Sequence, residues 1–309
     1  LALTKISEER PELSGDGVAK REVRARLSEA RSRLESNLQQ MFDTATWYRS
    51  DYEPTQYSTS ELNILASAIA DERYSKGPCI SNELLNRQKT SPNAVTAQKT
   101  LLKQMVLKEG HVRLGIEGFP AEGGLFESIL MNSGLYQVAD SGWRFVSPTK
   151  TSDPSGLFPM WKAATAFLEK NSNRSVKMSE VYHIWSNAPF GIKAGLLPVL
   201  GVAFLLARRD RLAFYRDGIF QAHFTALEVD CLTNDPQSIQ LRWMDLSDVS
   251  KTMLSEMAEI VRDIDTQNKL VNLEPIDVAR GLVSIYESLK PWTKRTMHLS
   301  SNAIRIRNL

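Results

Sequence analysis

The twelve residues from Leu196 to Ala207, LLPVLGVAFLLA, leave a folded chain few options. A helix drawn through them is apolar on every side, and such a helix is buried either in protein or in a bilayer. A bilayer span needs about 20 residues of this kind, so the segment is read as a buried helix, with no membrane partner. No secretory signal is expected from the first residues. A helix of this kind needs a core around it. The 309 residues exceed a usual single domain of about 100–200 and call for more than one packed unit. With 42% apolar and 24% charged residues the composition is that of an ordinary globular protein. The 38 basic and 36 acidic side chains leave a net charge of +2, too near balance to name a partner, so local asymmetry has to carry that argument. Cys79 and Cys231 stand far apart, outside any CxxC pair, and fit a reducing, cytoplasmic compartment.

Elements can be placed around the apolar helix from their end signals. Residues 18–48 carry Leu27, Leu34 and Met41 at heptad spacing, with Glu22/Arg26 and Glu29/Arg33 as i,i+4 pairs, and predict one long amphipathic helix. Ser58 and Glu61 have capping-box spacing before a second helix. A short helix is expected over ISNELLNR (80–87), and Ser91 with Pro92 starts another at NAVTAQKTLLKQMVL. A strand is expected at VRLGI (112–116), a helix over 121–131, and a hairpin over LYQVADSGWRFVSP. Helices followed by a hairpin make a winged-helix-like unit.

The same order repeats after the linker SPTKTSDPSG. Two helices and the apolar helix lead to RLAFYRDGIFQAHF, where Asp217-Gly218 is a strong two-residue hairpin signal. Thr225 and Glu228 form a further capping box, followed by a strand at SIQLRWMDL and helices over 248–264 and 275–289. The expected fold class is mainly α with small β-wings. A long amphipathic helix (1–56) precedes winged-helix-like units at 57–148 and 149–224 and a helical C-terminal segment at 225–309. Residues 225–275 hold ten acidic side chains against four basic, and residues 276–309 six basic against two acidic. An acidic patch beside a basic tail suits protein contact better than a continuous DNA track.

Chemistry-bearing patterns are few. Gly118 and Gly123 stand at P-loop spacing, but Gly124 and Leu125 occupy the Lys and Ser/Thr positions and Pro120 removes an N–H donor, so the stretch is read as a loop before a helix. The four histidines show no metal-ligand spacing, no Gly-x-Ser-x-Gly elbow is present, and His183 is read as a core or boundary residue beside Tyr182 and Trp185. No catalytic group, metal or cofactor is assigned. A winged helix commonly lays its third helix in the major groove. In the first unit the corresponding stretch, 80–113, holds six basic residues against two acidic. Arg87, Lys89, Asn93, Lys99 and Lys103 are the candidate DNA-binding residues, with Gln98 as a further base-reading amide. The same positions can equally be the solvated side of a helix whose Val95, Leu101, Leu102 and Val106 are core, and the residues weigh toward that blander reading. Arg208 and Arg209, at the end of the apolar helix, are read as complementing its dipole.

Several stretches taken together carry a resemblance. ISNELLNR with SPNAVTAQKTLL, LGIEGFPAEGGLFESIL, NAPFGIKAGLLPVLGVAFLLARRDRLAFYRDGIF and LKPWTKRTMHLSS resemble the C-terminal portion of large bacterial P-loop ATP-binding proteins of phage-defence loci, including the BREX type. Its most specific residues are Asn82, Glu83, Asn86 and Arg87; Glu122; Pro189, Phe190, Gly191, Gly195 and Pro198; and Asp210, Ala213, Tyr215 and Gly218. The resemblance implies a non-catalytic region of an antiphage protein, with ATP and magnesium bound only by an N-terminal domain whose Walker motifs have no match here. The implied partners are other defence subunits or a second copy, with double-stranded DNA as a further candidate. Leu1 and the unfinished amphipathic run up to Leu309 are read as those of a piece of a longer protein. An alternative of a different class is a stand-alone winged-helix transcriptional regulator. It would be a symmetric dimer through the long N-terminal helix, reading half-sites about 34–36 Å apart.

Overall fold

The computed structural model describes residues 10–244, except 14, 51, 140, 141 and 222, and parts of 281–304. These residues are mainly helical, with small antiparallel sheets. Their contacts divide the chain between Arg73 and Tyr74 into two compact units.

In the first unit the long helix predicted from the heptads forms as α1 (Gly17–Thr44), where the Asp16 carboxylate accepts from the N–H groups of Val18 and Ala19. Both i,i+4 pairs close, Arg26 to Glu22 at 2.9 Å and Arg33 to Glu29 at 3.0 Å. All four side chains are well exposed, so each pair contributes only about 0.2–0.5 kcal/mol. Of its apolar stripe only Leu27 is buried, while Leu34, Leu38 and Met41 are exposed. A two-residue hairpin, β1 (Thr46–Trp47) and β2 (Thr55–Gln56), leads to α2 (Thr59–Arg73). The predicted capping box starts α2: the Ser58 N–H donates to Glu61 at 2.8 Å and the Glu61 N–H to the Ser58 hydroxyl at 3.3 Å.

The second unit is built around two helices. The first, α3 (Pro92–Leu107), starts at the predicted Ser91 cap and packs on three neighbours: α4 (Ala121–Leu125, running on as a π-turn to Met131), α7 (Leu197–Ala207) and α8 (Ala226–Asn234). The second, α7, is the apolar helix, and Val199 through Leu206 are all buried in it. Each such Leu, Val or Phe stabilises by about 1.5–3 kcal/mol, which fixes α7 as the scaffold of the unit. Across α7 lie α5 (Phe158–Lys170) and, following β5 (Val176–Lys177), α6 (Met178–Ser186). Trp161, Trp185 and Phe204 meet with ring centroids 5.6 Å apart, and the Trp185 indole donates to the Met160 carbonyl at 3.1 Å.

Two sheets edge this core. The hairpin β3 (Tyr136–Ala139) and β4 (Gly142–Phe145) pairs Tyr136 with Phe145. The larger sheet adds β6 (Leu212–Arg216), β7 (Ile219–Gln221) and β8 (Ile239–Trp243) in the order β5-β8-β6-β7. Asp217 (φ +50°) and Gly218 (φ +81°) make the turn between β6 and β7, the left-handed pair that Asp-Gly favours. Glu228 caps α8 through the Thr225 N–H and hydroxyl, as predicted. Strand β8 enters between β5 and β6 from beyond residue 224, so the sheet runs past the point at which the element order closes the second unit.

Two predicted elements do not form. VRLGI is a single 3-10 turn (Val112–Gly115) rather than a strand, because Arg113 and Leu114 both take positive φ. That backbone turns Leu114 fully into the core and aims the Arg113 guanidinium at Glu127, 3.0 Å away. ISNELLNR is a run of turns, because the Asn82 side chain accepts from the Leu85 N–H at 2.9 Å and closes an Asx-type turn that competes with helix. The helix expected over 248–264 lies outside the described residues, and that over 275–289 lies mostly outside them. Among the described residues no helix is long and apolar enough to cross a membrane.

Candidate nucleic-acid interface

The side chains of α3 divide sharply between core and surface. Ala94, Ala97, Leu101, Leu102 and Met105 face the core, as the periodicity requires. Gln98 joins them: it is buried and its amide donates to the Gly195 carbonyl at 2.6 Å. It therefore ties α3 to the 187–195 loop and is not a base-reading amide. Lys99 and Lys103 share one side of the helix but are half-buried, and the Lys103 ammonium lies 3.2 Å from the Asp230 carboxylate of α8. Asn93 is exposed at the start of the helix.

The freest cations lie just before α3. Asn82 is buried, donating to the Ser128 hydroxyl at 2.7 Å, and its turn leaves Glu83, Asn86, Arg87 and Lys89 exposed. A second loop, 187–195, is laid against this turn. The Gly195 N–H donates to the Arg87 carbonyl at 3.0 Å and the Ala194 N–H to the Gln88 side chain at 3.2 Å. Only glycine permits this approach, since a Cβ at Gly195 would collide with the Leu85 carbonyl and stand 2.6 Å from Thr90 Cγ2. Lys193, exposed two residues earlier, is thereby carried to the rim that holds Arg87 and Lys89. Lys76 joins them through its N–H, which donates to the Pro189 carbonyl at 3.1 Å. The 187–195 loop thus ties together three stretches that carry four exposed cations. None of the four forms an ion pair among the described residues, and Glu83 is the one acidic side chain in the turn itself.

The chain matches no family model, no curated protein and no solved structure.

The residues singled out by resemblance fall in separate places. Asn82, Glu83, Asn86 and Arg87 lie in the turn whose Arg87 carbonyl meets Gly195, whereas Pro189 accepts from the Lys76 N–H and Gly191 (φ +68°) lies against the Tyr74 ring. Glu122 is half-buried in the first turn of α4, following the loop that holds Gly118, so the glycine-rich stretch is a loop before a helix as its sequence indicates. Asp210 lies 3.6 Å from Arg211, Tyr215 packs edge-on to Phe220, and Gly218 belongs to the β6–β7 turn. Those three shape the sheet rather than the rim.

Arg208 caps the C-terminal end of α7, and Arg209 next to it pairs with Glu109 at 2.7 Å. Burial holds the Glu109 carboxyl above its usual range, outweighing the opposing pull of the Arg209 guanidinium. Burial also pushes the Tyr136 hydroxyl up to about 12; it donates to the His111 carbonyl and accepts from the Gly110 N–H. Both groups pin the 108–111 turn to the β3–β4 hairpin. His183 is exposed on α6, while its neighbours Tyr182 and Trp185 are buried, so it is not a core residue. Among the described residues no group of three or more His, Cys, Asp or Glu side chains could hold a metal ion.

Lys76 and Lys193 carry no signal in the sequence, where each is one more isolated lysine. Only the fold ties their stretches, through the 187–195 loop, to that of Arg87. What such a rim can do chemically is hold an extended polyanion: several exposed cations on linked loops, in no ion pair among the described residues, match phosphates rather than base edges.

Proposed function

We propose that this chain is the non-catalytic contact region of a larger ATP-dependent antiphage protein, gripping duplex DNA by its backbone at the Lys76–Arg87–Lys89–Lys193 rim. The observation that supports this is that the 187–195 loop ties together three stretches of chain carrying four exposed cations, a junction that includes part of the resemblance, Arg87 and Gly195. In this reading α3, α4 and the β3–β4 hairpin form one winged-helix-like unit, and α5 to α7 with β6–β7 a second, whose apolar third helix stays in the core. Other subunits of the defence system dock elsewhere on the surface, and ATP with its magnesium belongs to a separate N-terminal domain.

Salt dependence tests it. Each phosphate contact on B-DNA contributes about 0.9 to the slope of log K against log salt. The triple variant Arg87→Ala/Lys89→Ala/Lys193→Ala should flatten the slope by roughly two to three units and weaken binding evenly across sequences. Lys99→Ala/Lys103→Ala should flatten it by about one unit or less, because Lys103 is already paired. A folded triple variant with an unchanged slope would refute the reading. A strong preference for one palindrome, bound by a dimer, would favour the stand-alone regulator instead.

A further inference from the structure

The first unit contains a groove of about 300 Å³ that its own side chains leave open. Its floor is one face of α2, where Leu62, Leu65, Ala66 and Ile69 follow i, i+3, i+4, i+7 spacing. The β1–β2 hairpin and the residue after it supply the walls, Trp47, Tyr48, Tyr52 and Tyr57. Aromatic rings are costly to leave in water, yet Tyr48 is 79% and Tyr52 62% exposed. The Trp47 indole N–H finds no acceptor among the described residues. Charge on the rim is one-sided. Arg49 is committed, stacked 4.4 Å over the Tyr52 ring and bonded to Glu72 at 3.2 Å, whereas Glu53 forms no ion pair among the described residues.

The geometry points to a proline-rich segment carrying a lysine or arginine as the occupant of this groove. From Leu62 to Ile69 the floor runs about 10 Å along the helix, the length of about three residues of polyproline II. Proline rings stack on flat aromatic walls, and the polyproline helix enters already ordered, so little entropy is lost on binding. Its carbonyls have no internal partners, and one of them can accept from the buried Trp47 indole once the side chains over it turn aside. Glu53 meets the basic residue at the rim. A quaternary ammonium, the other common guest of aromatic walls, suits the groove less well. It fills only one end, offers the indole no acceptor, and finds one face of Tyr52 already occupied by Arg49.

The test uses the full chain and a fluorescein-labelled decapeptide of nine prolines led by one arginine, read by anisotropy. Saturable binding is expected. Tyr48→Ala and Tyr52→Ala, at positions too exposed to hold the fold, should each weaken it roughly two- to tenfold. Glu53→Gln should weaken the arginine peptide but not an all-proline peptide, and the difference should fade at high salt. Equal binding of a peptide with alanine for every proline, indifference to both tyrosine substitutions in folded protein, or displacement by tetramethylammonium below millimolar concentration would each overturn the assignment. The groove and the cationic rim lie in different units, so loss of either result leaves the other standing.

Discussion

Replacing Gly195 with Ala probes the junction on which the cationic rim depends. Gly195 does not take positive φ, so the effect is steric. The new Cβ meets a backbone oxygen, Leu85, which cannot swing away, and Thr90 Cγ2 at 2.6 Å, about an ångström inside ordinary contact. Forcing the loops apart costs about 1–3 kcal/mol as overpacking. The separation also lengthens two hydrogen bonds, Gly195 N–H to Arg87 and Gln98 to Gly195, at about 1 kcal/mol each. Against this, alanine reduces the freedom of the unfolded chain by about 0.4–1 kcal/mol. The balance is a loss of about 2–4 kcal/mol. For a unit of this size each kcal/mol moves Tm by about 2–4 °C, so scanning calorimetry should record a fall of about 4–16 °C. Gly124→Ala is the control, since nothing lies within 4 Å of its Cβ and it sits inside α4. It should leave Tm unchanged or raise it slightly. A Gly195→Ala protein melting within about 2 °C of the parent would show that the two loops do not meet as described.

Glu109→Gln tests burial against ion pairing. A carboxyl whose folded pKa is raised stabilises the fold below its unfolded value and loses that contribution as pH climbs through the folded one. The difference in Tm, variant minus parent, should therefore grow between about pH 4 and pH 7, and a flat or falling difference would mean that the Arg209 pair outweighs burial. Glu228→Ala removes both the α8 cap and the partner of Arg216, whose side chains are 4% and 30% exposed respectively. Urea melts should show a loss of about 2–3 kcal/mol, and a loss under about 1 kcal/mol would place the cap outside the cooperative core.

Local signals in the sequence proved reliable where one residue settles one backbone choice. Ser91 with Pro92 starts α3, Thr225 with Glu228 starts α8, Asp217-Gly218 turns β6 into β7, and an all-apolar helix is buried because nothing else can be done with it. Prediction failed where a non-local demand overrode local preference. Arg113 and Leu114 show no left-handed tendency, yet the core takes Leu114 at that price in backbone strain. The helix-like spelling of 80–87 lost to a single asparagine side chain. The candidate interface was legible in part, as Arg87 and Lys89. The rest of it depends on bonds between residues such as Gln88 and Ala194, 106 positions apart, and no periodicity reports on those.

The order of strands in the larger sheet has a consequence for how this protein is made. Chains lengthen at about 5–20 residues per second, and the 36 residues separating Ala207 from Trp243 take roughly 2–7 s at that rate. Throughout that interval α7, the most apolar element in the molecule, has been synthesised while β8, which joins β5 to β6 and completes the sheet, has not. The nascent polypeptide passes through a stage in which β5 and the β6–β7 hairpin are made but not joined, and a ribosome stalled there would present their open strand edges to chaperones or to other nascent chains.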